Sequence, residues 1–198
     1  NIELVQGDVL NKDFLRRRLL ETRPDIIVHM ASLPLASVAI EQTEEAFESI
    51  LSSTTNIMEV MRDFKHDCRL VYISSSMVYG NFEDTQVTEE SATNPVDIYG
   101  SFKLAGEIIA RGYMKRYGLD LTIVRPSAVY GPLDGNQRVL YKFITAAIRG
   151  EKLIVDGDGS LRLDFTFVDD TAKGIFLAAT SPEASGETFN ITRGKAFS

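Results

Sequence analysis

Short runs of apolar residues alternate along the chain with longer stretches in which apolar residues recur every three or four positions. The short runs indicate strands, and the longer amphipathic stretches indicate helices. The predicted strands cover residues 2–8, 25–32, 69–75, 120–127, 152–155, 164–168 and 187–192. The predicted helices cover residues 11–23, 43–64, 99–117, 139–149 and 170–179.

Strands that are apolar along most of their length, with helices between them, are typical of a parallel sheet covered on both faces. We therefore predict an α/β fold with a doubly wound parallel sheet, in which residues 1–133 form the core. The later elements are shorter and more mixed. Residues 134–198 are therefore predicted to form a small partial lobe that also returns elements to the core. In such sheets ligands bind beyond the carboxyl ends of the strands, so polar residues that follow strands are candidates for a site.

The composition narrows the range of partners. The 198 residues carry a net charge of −7 without any basic run, which argues against nucleic acid as a partner. Cys68 is the only cysteine, so a disulfide framework is excluded and no metal site is predicted. A single thiol favours a reducing compartment, and we expect a cytoplasmic location. No apolar run approaches the roughly 20 residues needed to cross a bilayer, so no membrane segment is predicted.

Three residue types that could act together lie at the predicted ligand-binding edge. Ser74, Ser75 and Ser76 follow a predicted strand. Tyr99 and Lys103 lie four positions apart at the start of the next long helix. An ammonium near a phenol favours the phenolate, and a phenol tuned in this way can exchange a proton with a substrate hydroxyl. By themselves, the serines could equally be loop residues that satisfy backbone groups, and the Tyr–Lys pair an ordinary solvated pair on a helix.

Six motifs occur in order along the chain: GDVLN, VHMAS, VYISSSMVYG, TEESATNPVDIYGSFKLAGE, TIVRPSAVYGP and VDGDGSLRLDFTFVDDTAKGI. In these motifs and their spacing, the chain resembles the extended short-chain dehydrogenase/reductase family, in its branch of nucleotide-sugar epimerases and dehydratases. The resemblance covers nearly the whole chain. It implies a Rossmann-like fold, NAD as the cofactor and a nucleotide sugar as the substrate.

The resemblance also implies roles for individual residues. Ser75 would be the catalytic hydroxyl, Tyr99 the acid/base, and Lys103 the group that holds the nicotinamide ribose and tunes Tyr99. The residues implied in cofactor binding are Asp8, Val9, Ala31, Tyr99, Lys103, Arg125, Pro126 and Ser127. The residues implied in substrate binding are Ser75, Ser76, Met77 and Arg162.

Some positions have a structural alternative. Asp8 could equally be a turn or helix-capping acid, and Arg125 could form a salt bridge at the end of its strand. His29 lies in an apolar strand and is predicted to be a buried histidine with satisfied hydrogen bonds. The helices at 43–64 and 99–117 are amphipathic, and the resemblance implies that they pair across a homodimer. Packing against their own sheet is the alternative.

The chain lacks one feature of the family. It contains no GxGxxG or GxxGxxG sequence, so we expect the first βαβ unit, which binds the pyrophosphate, to be missing. We expect the chain to be the ordered part of a longer enzyme, with a true fragment as the alternative. The residues that read the 2′ position of the adenine ribose belong to that missing part. NAD and NADP are therefore not distinguished by these residues.

Other departures concern the substrate. Ser76 and Met77 occupy positions where dehydratases of the family have an acidic pair. Because Met cannot donate or accept a proton, 4,6-dehydration is not expected. Ala128 and Leu163 replace an Asn and an Arg that help to grip the nucleotide diphosphate, and Arg162 lies next to the second position.

The sequence therefore predicts an NAD-dependent nucleotide-sugar epimerase that inverts C4 of a UDP-sugar through a transient 4-keto intermediate. Two alternatives are open. One is an NAD(P)-dependent sugar-nucleotide reductase or dehydrogenase, and the other is a non-catalytic binding protein with the same fold.

Overall fold

A computed structural model describes residues 2–33, 36–64, 67–81, 86–155 and 157–198. The strands are β1 (Ile26–His29), β2 (Arg69–Ile73), β3 (Asp120–Pro126), β4 (Val129–Tyr130), β5 (Leu163–Asp164), β6 (Thr166–Phe167), β7 (Thr188–Ile191) and β8 (Ala196–Phe197). The α-helices are α1 (Lys12–Thr22), α2 (Ala36–Glu41), α3 (Thr43–Phe47), α4 (Ser53–Asp63), α5 (Ile98–Tyr117), α6 (Val139–Arg149) and α7 (Val168–Thr180). A π-helix occupies Glu48–Ser52, and 3₁₀ turns occupy Ser76–Tyr79 and Pro182–Ala184.

The main sheet has four strands in the order β1-β2-β3-β7, and all its neighbouring strands are parallel. Leu70, Tyr72 and Ile123 pack on one face of this sheet together with residues of α4 and α5. Val71 and Val124 pack on the other face with residues of α7. Because helices cover both faces of a parallel sheet, the predicted doubly wound α/β fold is confirmed.

Several helices and core strands match the sequence prediction closely, but two predicted strands are wrong. Residues 2–8 and 152–155 have no strand structure. Leu4 is 93% exposed and Ile154 is 79% exposed, so neither apolar run is buried. A strand needs a neighbour to complete its hydrogen bonds, and no described strand lies beside either run. The predicted strand at 164–168 is also two short strands, since β5 pairs with β8 and β6 pairs with β4.

The predicted helix at 43–64 changes pitch in its middle. The π-helix separates α3 from α4, and side-chain hydroxyls bond to its backbone. Ser53 Oγ donates to the carbonyl of Ser49 at 2.5 Å, and Thr54 Oγ1 donates to the carbonyl of Ile50 at 2.5 Å. Hydroxyls that hydrogen-bond to the carbonyl four residues earlier compete with the backbone bonds of the helix and often bend it.

The outer edge of β1 is open. β1 pairs with β2 on one side, and no strand of the described residues pairs with its other side. Ile26 is 36% exposed and Val28 is 40% exposed along this edge. The sheet therefore ends on an apolar strand. In the same described part of the chain, no helix is both long enough and apolar enough to cross a membrane.

Helix α5 packs closely over β2. The Asp97 side chain accepts a hydrogen bond from the Gly100 amide and caps the first turn, and Gly118 ends the helix in a left-handed conformation. A Cβ atom at Gly106 would overlap the hydroxyl of Tyr72 and lie 2.8 Å from its Cζ. Tyr72 is 1% exposed, so its ring has no free space to move into. Glycine at this position therefore sets how close α5 lies to the sheet.

Replacing Gly106 with Ala tests this packing. We expect the variant to lose roughly 1–2 kcal/mol of unfolding free energy, because the strain of overpacking exceeds the better helix propensity of Ala. Gly112 lies on the same helix, where an added Cβ atom would meet no packed neighbour within 4 Å, and Gly112→Ala is the matched control. That control should gain about 0.5–1 kcal/mol. Urea denaturation measures both, and equal shifts would contradict the close approach.

Candidate functional site

The carboxyl end of β2 and the first turns of α5 bring the predicted catalytic residues to one edge of the sheet. Ser74 and Ser75 directly follow β2, and both are buried. Tyr99 lies in the first turn of α5, and Lys103 lies one turn further along the helix. The helix period places Tyr99 and Lys103 on the same face.

Lys103 is buried against the sheet, with 3% of its surface exposed. Its Nζ donates to the carbonyl of Ile73 at 2.9 Å. Nζ also lies 5.7 Å from the ring centroid of Tyr99 and 5.6 Å from that of Tyr72. Burial lowers the pKa of Lys103 from 10.5 to about 8. The side chain is therefore an amine that gains and loses its proton close to neutral pH.

The Tyr99 phenol has a raised pKa. Burial is the main cause, and the negative charge of Asp97 acts in the same direction. Hydrogen bonding to the Ser32 and Ser75 side chains and the positive charge of Arg138 act the other way. The sequence argument expected the neighbouring ammonium to lower this pKa, and the structure differs because desolvation of the phenolate dominates.

Ser75 begins a short turn that orients its hydroxyl. Ser75 Oγ accepts a hydrogen bond from the Met77 amide at 3.2 Å and caps the 3₁₀ turn. Ser76 and Met77, both partly buried, continue this turn. Ser75, which lies next to Tyr99, is therefore held between the end of β2 and the start of the 3₁₀ turn.

A buried ion pair between Glu107 and Arg125 lies next to Ser74. Glu107 Oε2 accepts from Arg125 Nη2 at 2.6 Å, and Glu107 Oε1 accepts from Arg125 Nε at 2.9 Å. Ser74 Oγ donates to the same Oε1 at 2.5 Å, and Arg125 Nη1 donates to the Tyr79 hydroxyl at 2.8 Å. Burial works against the charge of Arg125, but the bonds and charge of Glu107 outweigh it and raise the pKa of Arg125. Arg125 thus forms the salt bridge that the sequence left open as an alternative.

The other predicted cofactor residues lie at the ends of elements. Asp8 Oδ1 accepts from the Leu10 amide at 2.8 Å in the turn before α1, as a turn-forming acid does. Val9 packs against the core beside α4, and Ala31 follows β1. Pro126 ends β3 and is followed by Ser127, at the same edge of the sheet as Ser75. Their contacts with a cofactor remain predictions.

The predicted substrate residue Arg162 is exposed, and its Nη2 donates to the carbonyl of Ala196 at 3.2 Å.

Ala128 adopts a φ of 22°, a backbone conformation that non-glycine residues rarely adopt. Its position just after Ser127 places this strained backbone at the edge of the site. Within the part of the chain that the structure describes, no group of three His, Cys, Asp or Glu residues could hold a metal ion.

Sequence reasoning missed three residues that influence the site. Glu107 lies four positions after Lys103 on a predicted helix, and this spacing indicates that the two side chains share one face of the helix. Ser32 and Arg138 act on the Tyr99 phenol from distant segments. Ser32 ends a predicted strand, where polar residues are candidates for a site, but no local pattern reveals the influence of Arg138, because it depends on how the segments fold together.

His29 forms a second buried polar group close to Lys103. Its Nε2 lies 3.0 Å from Thr54 Oγ1 and 3.3 Å from Ser53 Oγ, which confirms the prediction of a buried, hydrogen-bonded histidine. Burial first, and then the charge of Lys103, lower the pKa of His29 from 6.5 to about 4. The ring is therefore neutral at physiological pH.

Known proteins are similar to this chain in sequence and in fold. The model of the NAD dependent epimerase/dehydratase family matches residues 1–192. UDP-glucuronate 4-epimerase 4 of Arabidopsis thaliana is 29% identical over 199 residues, which cover 98% of this chain and 46% of that protein. The dTDP-D-glucose 4,6-dehydratase of Mus musculus is 27% identical over 191 residues, which cover 96% of this chain and 53% of that protein.

A solved structure shows the same fold. The UDP-glucuronic acid 4-epimerase from Bacillus cereus, in complex with UDP-glucuronic acid and NAD, superposes with a TM-score of 0.88 at 27% identity. The match covers 98% of this chain and 60% of the other. The chain spans about half the length of the curated relatives it matches.

The pKa of His29 makes stability depend on pH. The unfolded chain binds a proton at this histidine below pH 6.5, whereas the folded chain does so only near pH 4. The unfolded state therefore binds more protons between these values, and the unfolding free energy falls as the pH decreases through this window. The full effect is roughly 3 kcal/mol, at about 1.4 kcal/mol per pH unit.

His29→Gln isolates this effect, since the amide can still hydrogen-bond to Thr54 but does not titrate. Urea denaturation from pH 7 to pH 4 should show that the wild-type chain loses about 2–3 kcal/mol more than the variant. Parallel curves for the two proteins would rule out a neutral buried His29.

Proposed function

Because the chain belongs to the NAD dependent epimerase/dehydratase family, we propose that it forms part of an NAD-dependent epimerase that inverts C4 of a UDP-sugar. The observation that carries the proposal is the placement of Ser75, Tyr99 and Lys103 at one edge of the sheet, with Met77 beside them. This arrangement offers a proton-transfer group and a neighbouring ammonium, and Met77 contributes no acid for dehydration.

NAD is the cofactor of this family, and the residues at the sheet edge suit its nicotinamide end. The Lys103 amine, with up to three donors, can bond to ribose hydroxyls as well as to Ile73. Pro126 and Ser127 would pass beside the nicotinamide, and Asp8 and Val9 would flank the adenine. When bound there, NAD would supply a hydride acceptor and donor for C4 of the sugar.

In the proposed reaction, Tyr99 moves the proton. Its phenolate takes the proton of the C4 hydroxyl, while Ser75 hydrogen-bonds to the same oxygen and holds it in line. Arg138 and the hydroxyls of Ser32 and Ser75 favour the phenolate, against the cost of burying it. The Lys103 ammonium lies on the same helix face and adds a positive charge when it is protonated.

The second half of the reaction reverses the first. The 4-keto sugar turns over in the pocket, and Tyr99 returns the proton to the C4 oxygen when the other face of C4 is reduced. The same three side chains serve both halves, so the reaction needs no further acid or base. Net turnover of the nicotinamide would instead indicate the reductase or dehydrogenase alternative.

The dehydratase reaction of some relatives is not favoured here. Dehydration across C5 and C6 requires an acid and a base next to the catalytic hydroxyl, and this chain has Ser76 and Met77 there. The non-catalytic alternative is also disfavoured, since a simple binding protein has no need to bury Lys103 beside Tyr99.

Assembly and location form part of the same proposal. Phe47 of α3 is 48% exposed and Ile108 of α5 is 63% exposed, and the rings of Phe47 and Phe102 meet edge to face. Apolar side chains on these helices would support a homodimer through the two helical segments. Cys68 is a buried free thiol, as expected of a protein in the cytoplasm.

Replacing Tyr99 with Phe in the whole protein that carries this chain tests its proposed role. We expect kcat for epimerisation to fall by about 10²–10⁴-fold, because the proton-transfer group is lost while the ring remains. Tyr117→Phe, at the far end of the same helix, is the matched control and should retain wild-type activity. Retained activity in the Tyr99 variant would refute the mechanism.

The path of the hydrogen at C4 distinguishes the reaction types. A panel of UDP-sugars deuterated at C4 is incubated with the protein, and the products are followed by NMR and mass spectrometry. An epimerase should give a mixture of both C4 epimers that retain the deuterium, without accumulating reduced nicotinamide. Loss of one water would identify a dehydratase, and stoichiometric reduced nicotinamide a dehydrogenase.

A further inference from the structure

Three consecutive residues at the end of β2 face helix α5. Lys103 donates a hydrogen bond to the carbonyl of Ile73, and Glu107 accepts one from the Ser74 hydroxyl. Lys103 and Glu107 lie on the same face of the helix. Ser75, the next residue, lies beside Tyr99. Ile73, Ser74 and Ser75 therefore contact Lys103, Glu107 and Tyr99, three positions that are spaced one turn apart along the helix.

Glu107 is the most strongly held of these positions. Its carboxylate accepts three hydrogen bonds, two from Arg125 and one from Ser74, all between 2.5 and 2.9 Å. It is 2% exposed and Arg125 is 5% exposed, so both charges are excluded from water. A charged pair with this many short bonds tolerates little movement of the elements that carry it.

The partners of Glu107 come from different elements. Arg125 lies on β3 and Ser74 follows β2, whereas Glu107 lies on α5. Arg125 also donates to the Tyr79 hydroxyl at 2.8 Å, which in turn donates to Asn190 Oδ1 on β7 at 2.8 Å. One carboxylate thus ties α5 to a network that reaches three strands of the sheet.

We propose that Glu107 is a positioning residue for the reaction: held by Arg125 and Ser74, it fixes the rotation and height of α5 so that Tyr99 and Lys103 face Ser75. The proposal rests on the catalytic roles proposed for those three residues. Glu107 itself touches no reacting group. It acts through the helix, since Lys103 and Tyr99 lie one and two turns before it on the same face.

Ser74→Ala is the sharpest test, because it removes one bond to Glu107 and leaves the ion pair intact. We expect kcat in the whole protein to fall about 10- to 100-fold, with KM changed by less than about twofold, since a misplaced reacting group costs rate rather than binding. Arg125→Lys, which keeps the charge but loses the two-pronged contact, should act in the same direction.

A second readout does not depend on turnover. If α5 is less firmly seated, water reaches Lys103 and its pKa should rise from about 8 toward 10.5. NMR titration of ¹³C-labelled lysine, with the signal assigned through Lys103→Arg, measures this value. The matched control is Thr122→Val, which removes a buried hydroxyl bonded to the carbonyl of Ala184 at 2.7 Å, away from the site. Its kcat and the pKa of Lys103 should both stay at wild-type values.

The outcomes separate this inference from the proposed function. If Ser74→Ala and Arg125→Lys match the Thr122 control in kcat and in the pKa of Lys103, Glu107 only stabilises the fold and the inference is overturned. If the parent protein turns over no nucleotide sugar, the proposed function fails. In that case the lysine titration of the variants still decides whether Glu107 positions the helix.

Discussion

The Glu107 carboxylate and the Arg125 guanidinium form an ion pair that is buried in the protein interior. The burial of this pair constrains how the elements that carry it are arranged. Taking two charges out of water is costly unless each finds partners, and removal of one partner from such a pair costs about 3–5 kcal/mol. That is a large part of the roughly 5–15 kcal/mol by which domains are stable. Because the bonds of the pair join different elements, α5, β3 and the end of β2 have one mutual arrangement that satisfies it.

Burial in the same interior also sets the protonation states of His29, Lys103 and Tyr99. Burial makes His29 neutral and lowers the pKa of Lys103 to about 8, while it raises the pKa of Tyr99. Each shift opposes the charged form, as desolvation requires. The local electrostatics of this edge of the sheet therefore depend on packing depth more than on which ionisable residues are neighbours in sequence.

Much of this arrangement could be predicted from sequence. The apolar core strands and the long helix α5 follow from periodicity, and the YxxxK spacing within an ordered set of motifs pointed to Tyr99 and Lys103. Residues 2–8 and 152–155 look like strands but are not, because pairing depends on a neighbouring strand that local sequence does not encode. The Glu107–Arg125 pair joins residues 18 positions apart, and the sign of the Tyr99 shift depends on burial. Such features are properties of the folded chain.

The open edge of β1 has a practical consequence for handling this segment of protein. No strand of the described residues pairs with this side of β1, Ile26 and Val28 are exposed, and the strand has no charged residue, so the edge forms a template to which another extended chain can add. Preparations limited to these residues should thus be prone to edge-to-edge aggregation that grows with concentration. A lysine substituted on that edge would oppose the pairing of another strand, and it would leave the residues at the carboxyl ends of the strands unchanged.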